Sequence, residues 1–128
     1  MKTIYTDKAP VPAGHYSQAI VSGGLVYVSG QLPIDPDTGE KLGDRPVEEQ
    51  TRRALDNLEA VLLAAGSSRE KVLKITVYVS DISLWDLVNR EYAAFFGEHK
   101  PARSVVPTRD LHFGLKVEVD AIAVSSGQ

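Results

Sequence analysis

The sequence predicts an α+β domain: one six-stranded sheet with two helices on one face, in the order β-β-β-α-β-α-β-β over residues 1–128. Three observations predict it. Apolar residues alternate at period two in six short runs, and at helical spacing in two longer ones. Two amphipathic helices can cover only one face of such a sheet. The final run, Lys116 to Val124, puts Val117, Val119, Ala121 and Ala123 on one face. Its other face carries Lys116, Glu118 and Asp120, followed by Ile122 and Val124, so it meets water or a partner rather than a second core.

In chain order, Thr3–Thr6 reads as a short strand, and Asp7–Gly14, with Pro10 and Pro12, as a loop. Tyr16–Ser22 and Leu25–Ser29 read as strands joined by a tight Gly23-Gly24 turn. The Pro-, Asp- and Gly-rich stretch Gln31–Gly43 is too long for a minimal turn, so it packs on something or shapes a site. Asp44 can cap the first helix, Pro46 suits its first turn, and Glu48 and Glu49 suit the positive end of its dipole. Val47, Ala54, Leu55, Leu58, Val61, Leu62 and Ala65 form the apolar stripe, and Gly66 ends it.

Val72–Ser80 is the most strand-like run, with Leu73, Ile75, Val77 and Val79 on one face and Lys74, Thr76, Tyr78 and Ser80 on the other. A second helix is expected from Ser83, capped with help from Asp86. Leu84, Leu87, Val88, Tyr92, Phe95 and Phe96 are its apolar face, and Gly97 stops it. The last two strands, one led by Pro101-Ala102-Arg103 and one running through Glu118, are expected to form a hairpin, bringing Arg103 near the acidic face.

Composition narrows the function classes. Net charge is −3 with scattered basic residues, which disfavours nucleic acid as the main ligand. The chain has no cysteine, so no disulfide, thiol nucleophile or thiolate metal site is expected. No run approaches membrane-spanning length and the N-terminus has no apolar signal core, so a cytoplasmic protein without membrane partners is expected. His15, His99 and His112 share no metal-ligand spacing, and no phosphate-binding glycine loop is present.

The candidate site residues each carry two readings. Arg103 can grip a carboxylate with two parallel hydrogen bonds, or form a salt bridge with Glu118 or Asp120. Residue chemistry alone favours the salt bridge. Glu118, amid an apolar strand, must be paired, hydrated or used; it is either a solvated acid or a group that positions and activates water. Gly30, after Ser29, permits close backbone approach, or simply ends a strand. Tyr16 can cap a pocket or fill the core.

Five segments resemble, in order, the motifs of the Rid (reactive intermediate deaminase, YjgF) family. They are Gly14-His15-Tyr16-Ser17-Gln18-Ala19, Ser29-Gly30-Gln31-Leu32-Pro33, Val88-Asn89-Arg90-Glu91-Tyr92, Pro101-Ala102-Arg103-Ser104 and Val117-Glu118-Val119-Asp120-Ala121. The resemblance implies a chorismate-mutase-like fold and a homotrimer with clefts between subunits. It also implies hydrolysis of 2-imino or 2-enamino acids, such as 2-aminoacrylate and 2-iminopropanoate, to 2-keto acids and ammonia, with no metal or cofactor. Residue by residue, it makes Arg103 the carboxylate clamp, Glu118 the water-activating acid and the Val105 carbonyl a second hold on that water. Tyr16, Ser29, Gly30 and Asn89 then line the cleft. A non-catalytic carboxylate-binding regulator is the alternative, and a ribonuclease a more distant one that the acidic balance opposes. The chain departs from the best-studied branch at His15, in place of proline, and at Leu111-His112-Phe113-Gly114, in place of a proline-containing connection. Both departures surround the expected cleft and bear on substrate range.

Overall fold

The computed structural model describes residues 1–125; the last three positions of the expected 1–128 domain lie outside the described residues. Six strands, β1 (Lys2–Ile4), β2 (Ala19–Ser22), β3 (Leu25–Gln31), β4 (Val72–Val79), β5 (Ala102–Pro107) and β6 (Val117–Val124), form one sheet with two helices, α1 (Val47–Ala64) and α2 (Trp85–Phe96). The sheet order is β1-β2-β3-β6-β4-β5. All neighbours are antiparallel except β4 and β5.

Each helix is a crossover between parallel strands: α1 carries the chain from β3 over β6 to β4, and α2 from β4 to β5. Their buried stripes close one core with the inner sheet face. Leu55, Leu58 and Leu62 of α1 and Phe95 of α2 meet Val26, Ile75, Val77, Val119 and Ala123. The other sheet face, with Tyr27, Lys74, Thr76, Tyr78, Glu118, Asp120 and Ile122, is half-buried or exposed, and no element among the described residues covers it.

The expected hairpin of the last two strands does not form. β4 lies between β5 and β6, pairing parallel with the first and antiparallel with the second. Periodicity identifies strands but not their partners, and the segment from Thr108 to Lys116 is long enough to step across one strand.

Leu73 also departs from the expected inner face. Val72 opposes Ala123 and Lys74 opposes Ile122, so Leu73 is an extra residue in a bulge. It is 48% exposed, and Val72 takes its place in the core. Helix boundaries shift slightly. Pro46 rather than Asp44 occupies the cap of α1, and no side chain bonds there. A short 3-10 turn, Ile82–Leu84, precedes α2, and the Asp81 carboxylate, not Ser83, caps it by accepting from the Ser83 amide at 2.8 Å. The Gly23-Gly24 turn is as expected, with φ of 59° and 79°.

Buried amides fix the loops around the sheet. Gln18 accepts from the Thr6 amide at 2.7 Å and donates to the Thr6 and Pro10 carbonyls, both at 3.0 Å. Asn57 of α1 donates to the carbonyls of Leu32 at 3.0 Å and Ile34 at 2.9 Å, so the long Gln31–Gly43 stretch packs on that helix. Gln50 donates to the Arg45 carbonyl at 2.9 Å and accepts from the Lys116 amide at 3.0 Å, tying α1 to the start of β6.

Candidate active site

The predicted site residues fall into two sets on opposite faces of the sheet. Paired residues of neighbouring strands share a face. Arg103 pairs with Ile75 and Val105 with Val77, both core residues, so Arg103 and Val105 point to the helix side. Glu118 pairs with Tyr78 and Asp120 with Thr76, on the uncovered side. Arg103 therefore does not lie near the acidic face of its own chain. Among the described residues, no ion pair joins it to Glu118 or Asp120.

The first set lines a groove of about 540 Å³ containing Tyr16, Ser29, Gly30 and Glu118. Its geometry starts from an irregularity in β3. Val28 opposes Ala121 and Gln31 opposes Val119, so Ser29 and Gly30 form a bulge. The Ser29 hydroxyl donates to the Ser17 carbonyl at 2.6 Å, and its amide donates to the Gln18 carbonyl at 2.9 Å. Gly30 has a spatial reason to be glycine: a Cβ there would overlap the Glu118 Oε2 and sit 3.0 Å from Cδ. The close approach inferred for Gly30 is thus first to this carboxylate.

Glu118 is half-buried and, among the described residues, its carboxylate accepts no hydrogen bond. Burial raises its pKa above the ordinary glutamate value, the charge of Asp120 adds to the rise, and His112 opposes it. Asp120 is engaged instead, accepting from the Tyr78 hydroxyl at 3.2 Å. Tyr16 stands at the rim, 49% exposed, its hydroxyl accepting from the Ala13 amide at 3.1 Å.

The second set lines a cleft of about 420 Å³ with Asn89, Tyr92 and Arg103. The Arg103 guanidinium donates to Asn89 Oδ1 at 2.7 Å and lies 4.7 Å from the Tyr92 ring centroid and 5.7 Å from that of Trp85. A neutral amide and two π faces orient the cation without neutralising it. The Tyr92 hydroxyl is buried without a hydrogen-bond partner among the described residues, and burial pushes its pKa up to about 12 against the opposing charge of Arg103. Val105 lines neither space; it packs partly buried against the core two residues beyond Arg103 on the edge strand β5.

Trp85 and Tyr92 were not singled out as neighbours of Arg103. The signal was present in the spacing 85, 89, 92, one stripe of α2 shared with Asn89. His112 and Phe113 also line the groove of Glu118, placed there by the loop before β6, where no periodicity could have located them.

The architecture is that of a small α+β protein whose candidate polar groups, Arg103 and Glu118, stand on opposite faces of one sheet. A family model described as Endoribonuclease L-PSP matches residues 6–125. The chain is 43% identical over 126 residues to the 2-iminobutanoate/2-iminopropanoate deaminase of Escherichia coli K12, covering 96% of this chain and 97% of that one. It is 46% identical over 123 residues to a RutC family protein of Pyrococcus abyssi, covering 95% of each. The solved structure of Escherichia coli TdcF with bound serine superposes with a TM-score of 0.93 at 39% identity, over 98% of this chain and 100% of that one. The Escherichia coli YjgF gene product superposes at 0.92 with 42% identity, over 97% and 98%. The chain belongs to the Endoribonuclease L-PSP family, the YjgF/RutC group to which the Rid deaminases belong.

Proposed function

We propose that this protein hydrolyses 2-imino and 2-enamino acids to 2-keto acids and ammonia, as a homotrimer whose sites form between copies. One observation carries the reading. Glu118 is a half-buried, desolvated carboxylate with no hydrogen bond among the described residues, lying in a groove, while Arg103 is oriented by Asn89 on the opposite sheet face. A carboxylate clamp and a base that cannot meet within one chain meet when the uncovered face of one copy receives the Arg103 edge of another. The name of the Escherichia coli relative supports the same chemistry.

In the reaction, Arg103 takes the substrate carboxylate in a two-pronged contact, which orients the adjacent C=N carbon. Glu118 accepts a proton from water held also by the Val105 carbonyl. The oxygen bonds to the imine carbon as the C=N π pair moves to nitrogen, which takes up a proton. The resulting carbinolamine loses ammonia as its hydroxyl proton is transferred and the C=O forms. One water is consumed and one ammonia released. The raised pKa of Glu118 suits a base working nearer neutrality than an ordinary glutamate.

The test is ammonia release from imines generated in situ by an amino-acid oxidase, alongside sedimentation equilibrium. Turnover above the spontaneous rate and a mass three times 13.9 kDa are expected. A stable monomer at micromolar concentration would remove the shared site. Tight 2-keto acid binding with no turnover would favour a carboxylate-binding regulator.

A further inference from the structure

The groove beside Glu118 continues into a wall that imine hydrolysis itself does not use. Pro10, Val11, Leu32, Ile34 and Phe113 present apolar surface there, with Tyr16 at the rim. Val11 is 69% exposed and Phe113 44%. Past Val11 and Phe113 the space runs on into an adjoining cleft of about 280 Å³, bounded also by Pro36.

This wall is held in place rather than loosely exposed. The buried Gln18 amide grips the Pro10 carbonyl, and Asn57 grips those of Leu32 and Ile34. Phe113 has φ of 60° and ψ of 18°, the left-handed region that a bulky residue rarely adopts. Its ring lies 3.9 Å from that of His112, and the Lys41 ammonium sits 4.5 Å from its centroid. An aromatic held in a disfavoured conformation by neighbours on both sides, at the mouth of a groove, marks a shaped contact surface. Glu118 is the carboxylate lining the groove, so an acidic side chain there meets a like charge, while Lys41 and Asp35, one of each sign, line the adjoining cleft.

We infer that this wall receives the substrate's side chain, and that the preferred substrates are 2-imino acids with a branched aliphatic or aromatic side chain. The inference rests on the hydrolase reading of the same site and adds the class of substrate. A small side chain would leave Val11, Ile34 and Phe113 wet, whereas one of leucine or phenylalanine size covers them. Apolar contact of a few carbons discriminates by tenfold or more in an enclosed pocket.

The experiment measures kcat/KM for imines generated in situ from alanine, leucine, phenylalanine and glutamate, using the intact protein with catalase present. Leucine and phenylalanine imines are expected about tenfold or more above that of alanine, and above that of glutamate. Phe113→Ala should bring the leucine-to-alanine ratio toward one, and Phe113→Leu should keep most of it. Equal rates across the wild-type panel, or a ratio unmoved in Phe113→Ala, overturn the inference while leaving the hydrolase reading intact. If no imine is turned over, the hydrolase reading fails, and calorimetry with 4-methyl-2-oxopentanoate and pyruvate decides the wall. About tenfold tighter binding of the branched acid supports it; equal or unmeasurable affinities overturn it. A changed assembly mass in Phe113→Ala would make the wall a contact between copies and overturn it as well.

Discussion

Two glutamates and two arginines in this molecule have opposite fates. Glu59 and Arg69 meet: Arg69 Nε and a terminal nitrogen reach the two Glu59 oxygens at 2.6 and 2.7 Å, and its other terminal nitrogen donates to the Phe95 carbonyl at 2.6 Å. The guanidinium lies 3.9 Å from the Phe95 ring centroid, and the contact with Glu59 raises its pKa. That cluster locks the turn before β4 onto both helices, and Arg69 has few donors left for a ligand. Glu118 and Arg103 are the same residue types kept apart on opposite faces of the sheet, one bare and desolvated, the other held by an amide and two rings. Charge pairing completed within the fold serves stability, whereas charges held apart are available for chemistry.

The largest effect expected from breaking this contrast is on turnover. Glu118→Gln keeps shape but removes the base, so kcat should fall by about 10²–10⁴-fold, a typical general-base loss, while 2-keto acid binding persists. Parallel calorimetry and ammonia release check this; unchanged turnover with tighter binding would mean that Glu118 only neutralises Arg103. Arg103→Lys keeps the charge but loses the two-pronged geometry. A drop in kcat/KM of about tenfold or more is expected, since charged hydrogen bonds contribute roughly 1.5–3 kcal/mol each. Near-normal kinetics in the folded variant would make Arg103 structural.

Arg69→Ala should show the reverse pattern. It leaves Glu59 partly buried without its partner, at a cost of about 2–3 kcal/mol and a Tm lower by roughly 10 °C, with kcat/KM per folded molecule nearly intact. A loss of activity larger than the loss of folded protein would blur the distinction between the two arginines.

The smallest effect is the most diagnostic of how bare Glu118 is. A carboxyl whose folded pKa lies above its unfolded value destabilises the fold when ionised. That penalty is absent below the ordinary glutamate range and grows as pH rises through the raised pKa. Glu118→Gln should therefore melt slightly above wild type at pH 7, with the advantage vanishing in acid, and the acid limb of wild-type kcat/KM should lie above the usual glutamate pKa. A Tm below wild type at pH 7 would show that the charge is paired in the assembled protein.

The amphipathic stripes of α1 and α2, the Gly23-Gly24 turn and the inner face of β6 were legible because period and turn chemistry are local. The five motif segments carried the family, and the family model and the superposed structures agree with them. Leu73 was misread because a bulge needs a partner strand to exist, and the last two strands were wrongly paired because alternation says which way a side chain points, not what lies beside it. The bulge at Ser29 and Gly30, the carboxylate over Gly30, and the Trp85 and Tyr92 rings around Arg103 were likewise decided only in three dimensions. Sequence by itself determined which residues carry charge and which elements bear them. Tertiary structure decided that Arg103 and Glu118 stand on opposite faces, because that depends on β4 lying between β5 and β6, a pairing of segments distant along the chain.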